Sequence, residues 1–298
     1  MFRNLPIRFK LLIFYSILFT VSLSLGSTFT YIIVQRTITA NIENELENTT
    51  QAILNMVKTA ADVSIKNHLR AIAEQNLNTA QHYYDRYRKG GISEAEARQL
   101  TAELYLSQTI GKSGYTYCLD SSGVVLFHPE DELVDESVAQ HEFIQDQVEM
   151  KEGYIEYQWK NPRENRLRPK ALYMTYFEPW DWIISVTSYR SEFKDVVNVD
   201  DFRDNVLKFR FGETGYSFVM DKTGTALIHP KLQGINILED QMLPGKYFET
   251  MWEQKRGKLI YPWRNPGETR ERDKLVMFNY IPDYDWLVAS SSYLDEFY

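Results

Sequence analysis

Few residues of this chain have the means to do chemistry, and those that do come in pairs. GYTYCLDSSGVVLFHP, Gly114 to Pro129, ends on His128; GYSFVMDKTGTALIHP, Gly215 to Pro230, ends on His229. Further on, Lys170 opens the run ALYMTYF, and Lys274 stands at the matching place in the second copy. An ammonium and an imidazole set among tyrosines are hydrogen-bond donors suited to holding an anion. They make no catalytic constellation: the chain has no P-loop, no Gly-x-Ser-x-Gly elbow, no His-Glu-x-x-His helix and no cysteine with a placed histidine. The reading is therefore of a binding protein and not an enzyme. His68, His82, His128, His141 and His229 form no short His-x-x-x-His pair, and Glu130, Asp131 and Glu132 read as a solvated loop. Neither a metal nor a cofactor is expected. Cys118 is the only cysteine, which excludes an intramolecular disulfide and a CxxC pair.

The paired residues need elements to hold them. TYCL and SFVM have the β-branched and aromatic make-up of strands. Asp120-Ser121-Ser122-Gly123 and Asp221-Lys222-Thr223-Gly224 read as tight turns, with the Asp bonding its own downstream backbone and the Gly free to take positive φ. VVLFHP and TALIHP return the chain, so the repeated segment is a hairpin. A second set repeats after it: GYIEYQWKNP (Gly153 to Pro162) with GKLIYPWRNP (Gly257 to Pro266), and DWIISVTSYRSEF (Asp181 to Phe193) with DWLVASSSYLDEF (Asp285 to Phe297). Each copy reads as a hairpin, a helical crossover and three more strands, an antiparallel sheet of about five strands in an α+β, PAS-like module. Two such copies are a tandem duplication, with one module over residues 110–198 and another over 199–298. The charges Arg163-Glu164-Asn165-Arg166 and Glu268 to Arg272 read as exposed turns.

Upstream, MFRNLPIRFK carries Arg3, Arg8 and Lys10, and Leu11 to Val34 holds no charged residue. About 20 apolar residues cross a bilayer as a helix, so 11–34 is expected to be an uncleaved anchor. Basic residues before it and NIENELEN after it keep 1–10 in the cytoplasm and place the remainder outside, on the far side of the inner membrane. From Gln35 to Arg88 there is neither Pro nor Gly, and Ile42, Leu46, Ile53, Val57, Ile65 and Leu69 recur at helical spacing. Gly90-Gly91 stops this helix, and Ser93 with Glu96 opens another up to about Leu106, completing a helical segment over 35–109. The stripe predicts a homodimer with Ile42, Leu46, Ile53 and Val57 at the seam. Of 298 residues, 44% are hydrophobic and 14% aromatic, which fits two folded modules. The formal net charge of -8 argues against a nucleic-acid partner.

Gly-x-x-Gly-Tyr at 111–115 and 212–216, Asp-x-x-Gly, His-Pro, Tyr-x-Trp-x-Asn-Pro, the later Lys and the Asp-Trp strand, in this order and twice, resemble the double Cache sensor of bacterial transmembrane receptors, over about residues 30–298. The resemblance implies an extracytoplasmic domain of a chemoreceptor or histidine kinase, with the first module membrane-distal and holding a small molecule. Relatives with this His-Pro and Lys pattern recognise short carboxylates such as acetate, propionate, lactate or pyruvate. Receptors of the kind it resembles continue into a second membrane helix and an output domain; here these are expected beyond residue 298, or else the output has been lost. Carried onto this chain, it makes Lys170 the leading ligand contact. Tyr115, Tyr117 and Tyr173 are then expected as hydroxyl donors, Trp159 as an apolar wall, and His128 as a donor, protonated or through its neutral N–H. Lys170 has its twin in Lys274 and is equally readable as a feature of the fold. Phe218 replaces Tyr117 in the second copy, which makes the first cup the more polar. The competing reading is a membrane-anchored structural or adaptor protein whose cups are filled by side chains such as Tyr173, Met174 and Tyr176.

Overall fold

The computed structural model describes residues 6–161, 165–240 and 242–297. Arg3 of the basic flank, Pro162 of the first Asn-Pro pair, Arg163, Glu164 and Tyr298 lie outside the described residues. The anchor and the striped helix are one element, α1 (Ile7–Arg88). Its apolar start is exposed on all sides, from Leu11 to Val34. Its most apolar 18-residue window has a mean hydropathy of 1.8, and among the described residues it is the one helix long and apolar enough to cross a membrane. The helix stops where the glycines stand: Gly90 takes φ 77°, and the Gly91 N–H donates back to the Arg86 carbonyl at 3.0 Å. α2 (Glu94–Leu106) follows, and the Ser93 hydroxyl accepts from the Glu96 N–H as its cap requires.

The chain divides into two compact units, one of residues 55–202 with 282–284, the other of residues 1–54, 203–281 and 285–298. In the first, β1 (Tyr115–Leu119), β2 (Val125–Phe127), α3 (Glu142–Met150), β3 (Gly153–Trp159), β4 (Arg168–Phe177) and β5 (Trp182–Tyr189) form an antiparallel sheet in the order β2-β1-β5-β4-β3. The β1–β2 turn is the expected one: Asp120 Oδ1 accepts from the N–H groups of Ser122 and Val124, both at 2.9 Å, and Gly123 takes φ 82°. Strand alternation then divides the side chains. Ala171, Tyr173 and Val186 pack with Ile65, Leu69 and Ala73 of α1 on one face. Tyr117, Leu119, Leu172, Met174 and Ile183 pack on the other with Ile144 of α3.

In the second unit, α4 (Asp200–Lys208), β6 (Arg210–Phe211), β7 (Gly215–Asp221), β8 (Ala226–Ile228), α5 (Gly245–Gln254), β9 (Arg256–Trp263), β10 (Arg272–Ile281) and β11 (Trp286–Tyr293) repeat the pattern, with the first residues of α4 falling in the first unit. This sheet has six strands where about five are expected. The extra one is short: β6 pairs with Gly215 and Tyr216, where the first module has only the Ile110–Gly114 bridge. The dimer seam expected from the helix stripe is corrected here. Ile42 and Leu46 pack inside this unit against Phe211, Leu275 and Met277, and Ile53 and Val57 are fully buried. A stripe at helical spacing marks burial without saying whether its cover comes from the same chain.

Candidate functional site

The face of the first sheet turned away from α1 carries most of the singled-out residues. β1 contributes Tyr115 and Tyr117, β3 contributes Tyr157 and Trp159, and β4 contributes Lys170, which stands directly opposite Tyr157 on β3 and Tyr189 on β5. A cavity of about 70 Å³ opens here, lined by Tyr115, Tyr117, His128, Phe143, Tyr157 and Trp159 among others. At roughly 10–15 Å³ per water position, it takes about five water-sized positions. An outer groove of about 430 Å³ shares Tyr115, His128 and Trp159 with it and adds Asn161.

Lys170 is fully buried behind Tyr115 and lines neither the cavity nor the groove. Its ammonium lies 4.2 Å from the centre of the Tyr115 ring and 5.1 Å from that of Tyr189. Aromatic faces attract a desolvated cation by about 2 kcal/mol. His128 is buried with its ring edge-on to Tyr115 at 4.8 Å. Its Nδ1 accepts the Glu130 backbone N–H at 2.9 Å, so the ring proton of the neutral form sits on Nε2, which faces away from that loop and can donate. Burial, and after it the charge of Lys170, lower the His128 pKa to about 4. Of the two expected modes of donation, the neutral N–H is the one available near neutral pH.

Two expectations are corrected by the geometry. The Tyr117 hydroxyl donates to Gln147 Oε1 at 2.9 Å, and Ser185 Oγ donates to the same oxygen at 2.7 Å. Tyr117 therefore presents its ring as wall rather than its proton as donor. Tyr173 sits on the opposite face of β4, in the cluster with α1, and is separated from the other five residues by the sheet. Trp159 is half-buried and meets Phe143 at 5.4 Å and His141 at 5.8 Å, an aromatic rim over the cavity. Four residues were missed. Tyr157 lies two positions before Trp159 and therefore shares its face. Tyr189 lies beside Lys170, and its hydroxyl oxygen accepts the Asn161 N–H at 3.1 Å. Gln147 and Phe143 lie four apart on α3, and nothing local in the sequence says which face of that helix turns inward. Asn161 Oδ1 is buried without a hydrogen bond, the only such side-chain amide oxygen among the described residues of this module.

The lowered histidine pKa values set an acid sensitivity. Burial together with the charge of Lys274 brings His229 of the second module to about 3. A histidine whose folded pKa lies below its ordinary 6.5 stabilises the fold fully above pH 6.5 and loses that contribution as pH falls toward the folded value. Between pH 6.5 and 5 each histidine is expected to withdraw about 1.5 kcal/mol. Glu192, which is held low by hydrogen bonds from Ser113, Lys112 and Ser188 against the effect of burial, loses its contribution only at lower pH. Urea unfolding at pH 6.5 and at pH 5 checks this. His128→Gln should flatten the pH dependence of the first module, and an unchanged slope in that variant would refute the assignment.

The family model described as a Cache domain matches residues 31–298. Among solved structures, a methyl-accepting chemotaxis protein from Vibrio parahaemolyticus is 20% identical, over 51% of this chain and 99% of its own, with a TM-score of 0.37. The periplasmic sensory domain of the Campylobacter jejuni chemoreceptor Tlp1 is 13% identical over 86% of this chain and 96% of its own, TM-score 0.35. A Cache chemosensory domain described for carboxylic acid recognition is 17% identical over 41% of this chain and 91% of its own, TM-score 0.38. At these scores no residue role is drawn from them.

Proposed function

This chain belongs to the Cache domain family, and on that premise we propose that it is the extracytoplasmic ligand-sensing part of a transmembrane receptor of the chemoreceptor or histidine kinase type, binding a short carboxylate in its first module. The observation that carries the reading is a buried ammonium covered by the Tyr115 ring, which also lines an aromatic cavity of about 70 Å³. The volume suits four to six heavy atoms, the size of acetate, propionate, lactate or pyruvate. Lys170 supplies the counter-charge, the His128 Nε2–H a neutral donor, and the rings of Tyr115, Tyr117 and Trp159 the cover for a short carbon tail. Leu11 to Val34 anchors the chain in the inner membrane. The modules of this chain act by binding.

Signalling requires that the cavity be coupled to α1. Arg190, immediately after Tyr189 of β5, pairs with Asp62 of α1 and with Glu156 of β3. Tyr157, the next residue on β3, and Trp159, two positions further on, line the cavity. A ligand drawing the ends of β3 and β5 together thus works directly on the residues that grip α1. Helix displacements of about 1–2 Å are enough in known switches, and the ligand shifts the equilibrium only by its differential affinity for the two positions. A dimer in the membrane would then have to use a face of α1 other than the buried stripe.

The test is a thermal-shift panel on the whole chain in detergent, with acetate, propionate, lactate and pyruvate beside amino acids, amines and purines. The expected result is a rise in Tm with one or more of the short carboxylates, largest for the smallest that fill the cavity. A flat response across the panel from a folded protein would reject the carboxylate reading and favour an adaptor with filled cups.

A further inference from the structure

The second module carries its own buried lysine, and its surroundings differ from those of the first. Lys274 is 1% exposed, and its Nζ has no hydrogen-bond acceptor among the described residues. The ammonium lies 3.6 Å from the centre of the Tyr216 ring, 5.0 Å from that of Tyr293 and 5.7 Å from that of Trp263. Burial pushes it well below the ordinary lysine value. The neighbouring carboxylates are spent elsewhere. Glu268 accepts from Arg272 Nη2 at 2.9 Å and from Asn265 Nδ2 at 3.3 Å, and Glu296 accepts from Arg272 Nη1 at 3.1 Å and from the N–H groups of Glu213 and Thr214. A buried cation that has aromatic faces but no acceptor lacks one partner that an anion would provide.

Space for that partner lies next to it. A cavity of about 240 Å³ is lined by Tyr216, His229, Pro230, Asn265, Pro266 and Glu268 among others. Tyr216 stands over the ammonium and also lines the cavity, so displacement of this one ring joins the two. The His229 ring nitrogen Nε2 lies 3.0 Å from the Tyr216 hydroxyl, and its Nδ1 is occupied by the N–H groups of Lys231 and Leu232. When Tyr216 moves, the Nε2–H becomes a second donor beside the ammonium. The proline and aromatic walls suit a carbon tail, and the rim sets Glu213 and Glu268 beside Arg210 and Lys231, so the single ammonium of Lys274 is left to match a single carboxylate. We propose that the second module has a site of its own for a small monocarboxylate, with Lys274 as its charge partner and Tyr216 as its movable cover.

The proposal does not depend on ligand binding in the first module, and the experiment separates the two. Sodium acetate is titrated into the whole chain and into its Lys170→Met and Lys274→Met variants, following tryptophan fluorescence against sodium chloride at matched ionic strength. The expected result is a saturable acetate phase that persists in Lys170→Met and weakens at least tenfold in Lys274→Met. If every acetate-specific change vanishes in Lys170→Met, or none exists in any form, the second site is refuted. If the only phase present is lost in Lys274→Met and untouched in Lys170→Met, this site stands and the first-module reading falls. Should Lys274→Met fail to fold, crystals of the unaltered protein soaked in sodium bromide decide: an anomalous peak in contact with Lys274 Nζ supports an anion site, and its absence overturns it.

Discussion

Lys170→Met is expected to weaken short-carboxylate binding by roughly 10- to 100-fold while leaving the unliganded protein as stable as before, or more so. The first half follows from the charge-assisted hydrogen bond between an ammonium and a carboxylate, worth about 1.5–3 kcal/mol. Micromolar affinity needs about 8 kcal/mol in all, so His128 and the aromatic walls retain residual binding. The second half follows from burial. Lys170 is fully buried, and methionine has nearly its length without its charge, so the substitution removes a desolvation cost at little loss of packing. The pairing of these outcomes is the discriminating feature. A lysine kept as part of the fold would show the reverse: a fall in Tm by several degrees, with affinity restored wherever the protein remains folded. Isothermal titration alongside thermal unfolding measures both, and Lys170→Arg adds a check. Arg keeps the charge, but its larger planar head does not fit under Tyr115 and Tyr189, so binding should remain impaired.

The hairpins were legible because their chemistry is local. Asp120 and Gly123 serve the turn they sit in, and Ser93 serves the helix that follows it. The duplication made each such feature visible twice. The faces of the sheet were legible in principle: Lys170 and Tyr173 are three residues apart on one strand, and period-2 alternation puts them on opposite faces whatever the rest of the fold does. The same counting places Tyr157 with Trp159. What could not be read is long-range. Gln147 accepts the hydrogen bond of the Tyr117 hydroxyl across 30 positions of sequence, and the stripe of α1 is covered by its own chain in place of a second copy. Both depend on which surfaces meet, and a periodic pattern records only that some surface is buried. The strand β6 is two residues long, too short to carry a pattern at all.

Gly114→Ala is expected to destabilise the first module by about 3 kcal/mol or more and to impair ligand binding with it. A Cβ at Gly114 would fall closer than 3.0 Å to the Ser188 Cβ and to the carbonyl oxygens of Ile110 and Thr187. Two of these are backbone atoms, so no side-chain rotation relieves the overlap. The strand must separate from its neighbour or lose the bridge in which Ile110 and Gly114 exchange bonds at 3.1 and 2.8 Å. That bridge is clamped from outside: the Glu192 carboxylate accepts from the Lys112 and Ser113 N–H groups, each at 2.9 Å. Tyr115 is the next residue, so a strand pushed outward carries away the ring that covers Lys170. Gly90→Ala is the control, because that glycine has φ 77° and nothing within 4 Å. Its cost comes from the left-handed backbone alone, about 1 kcal/mol, with no effect on affinity. Urea unfolding and carboxylate titration on both variants test the argument. A Gly114→Ala protein as stable as Gly90→Ala would mean that β1 and β5 do not approach as closely as described, and that Tyr115 is not held over the ammonium by this hairpin.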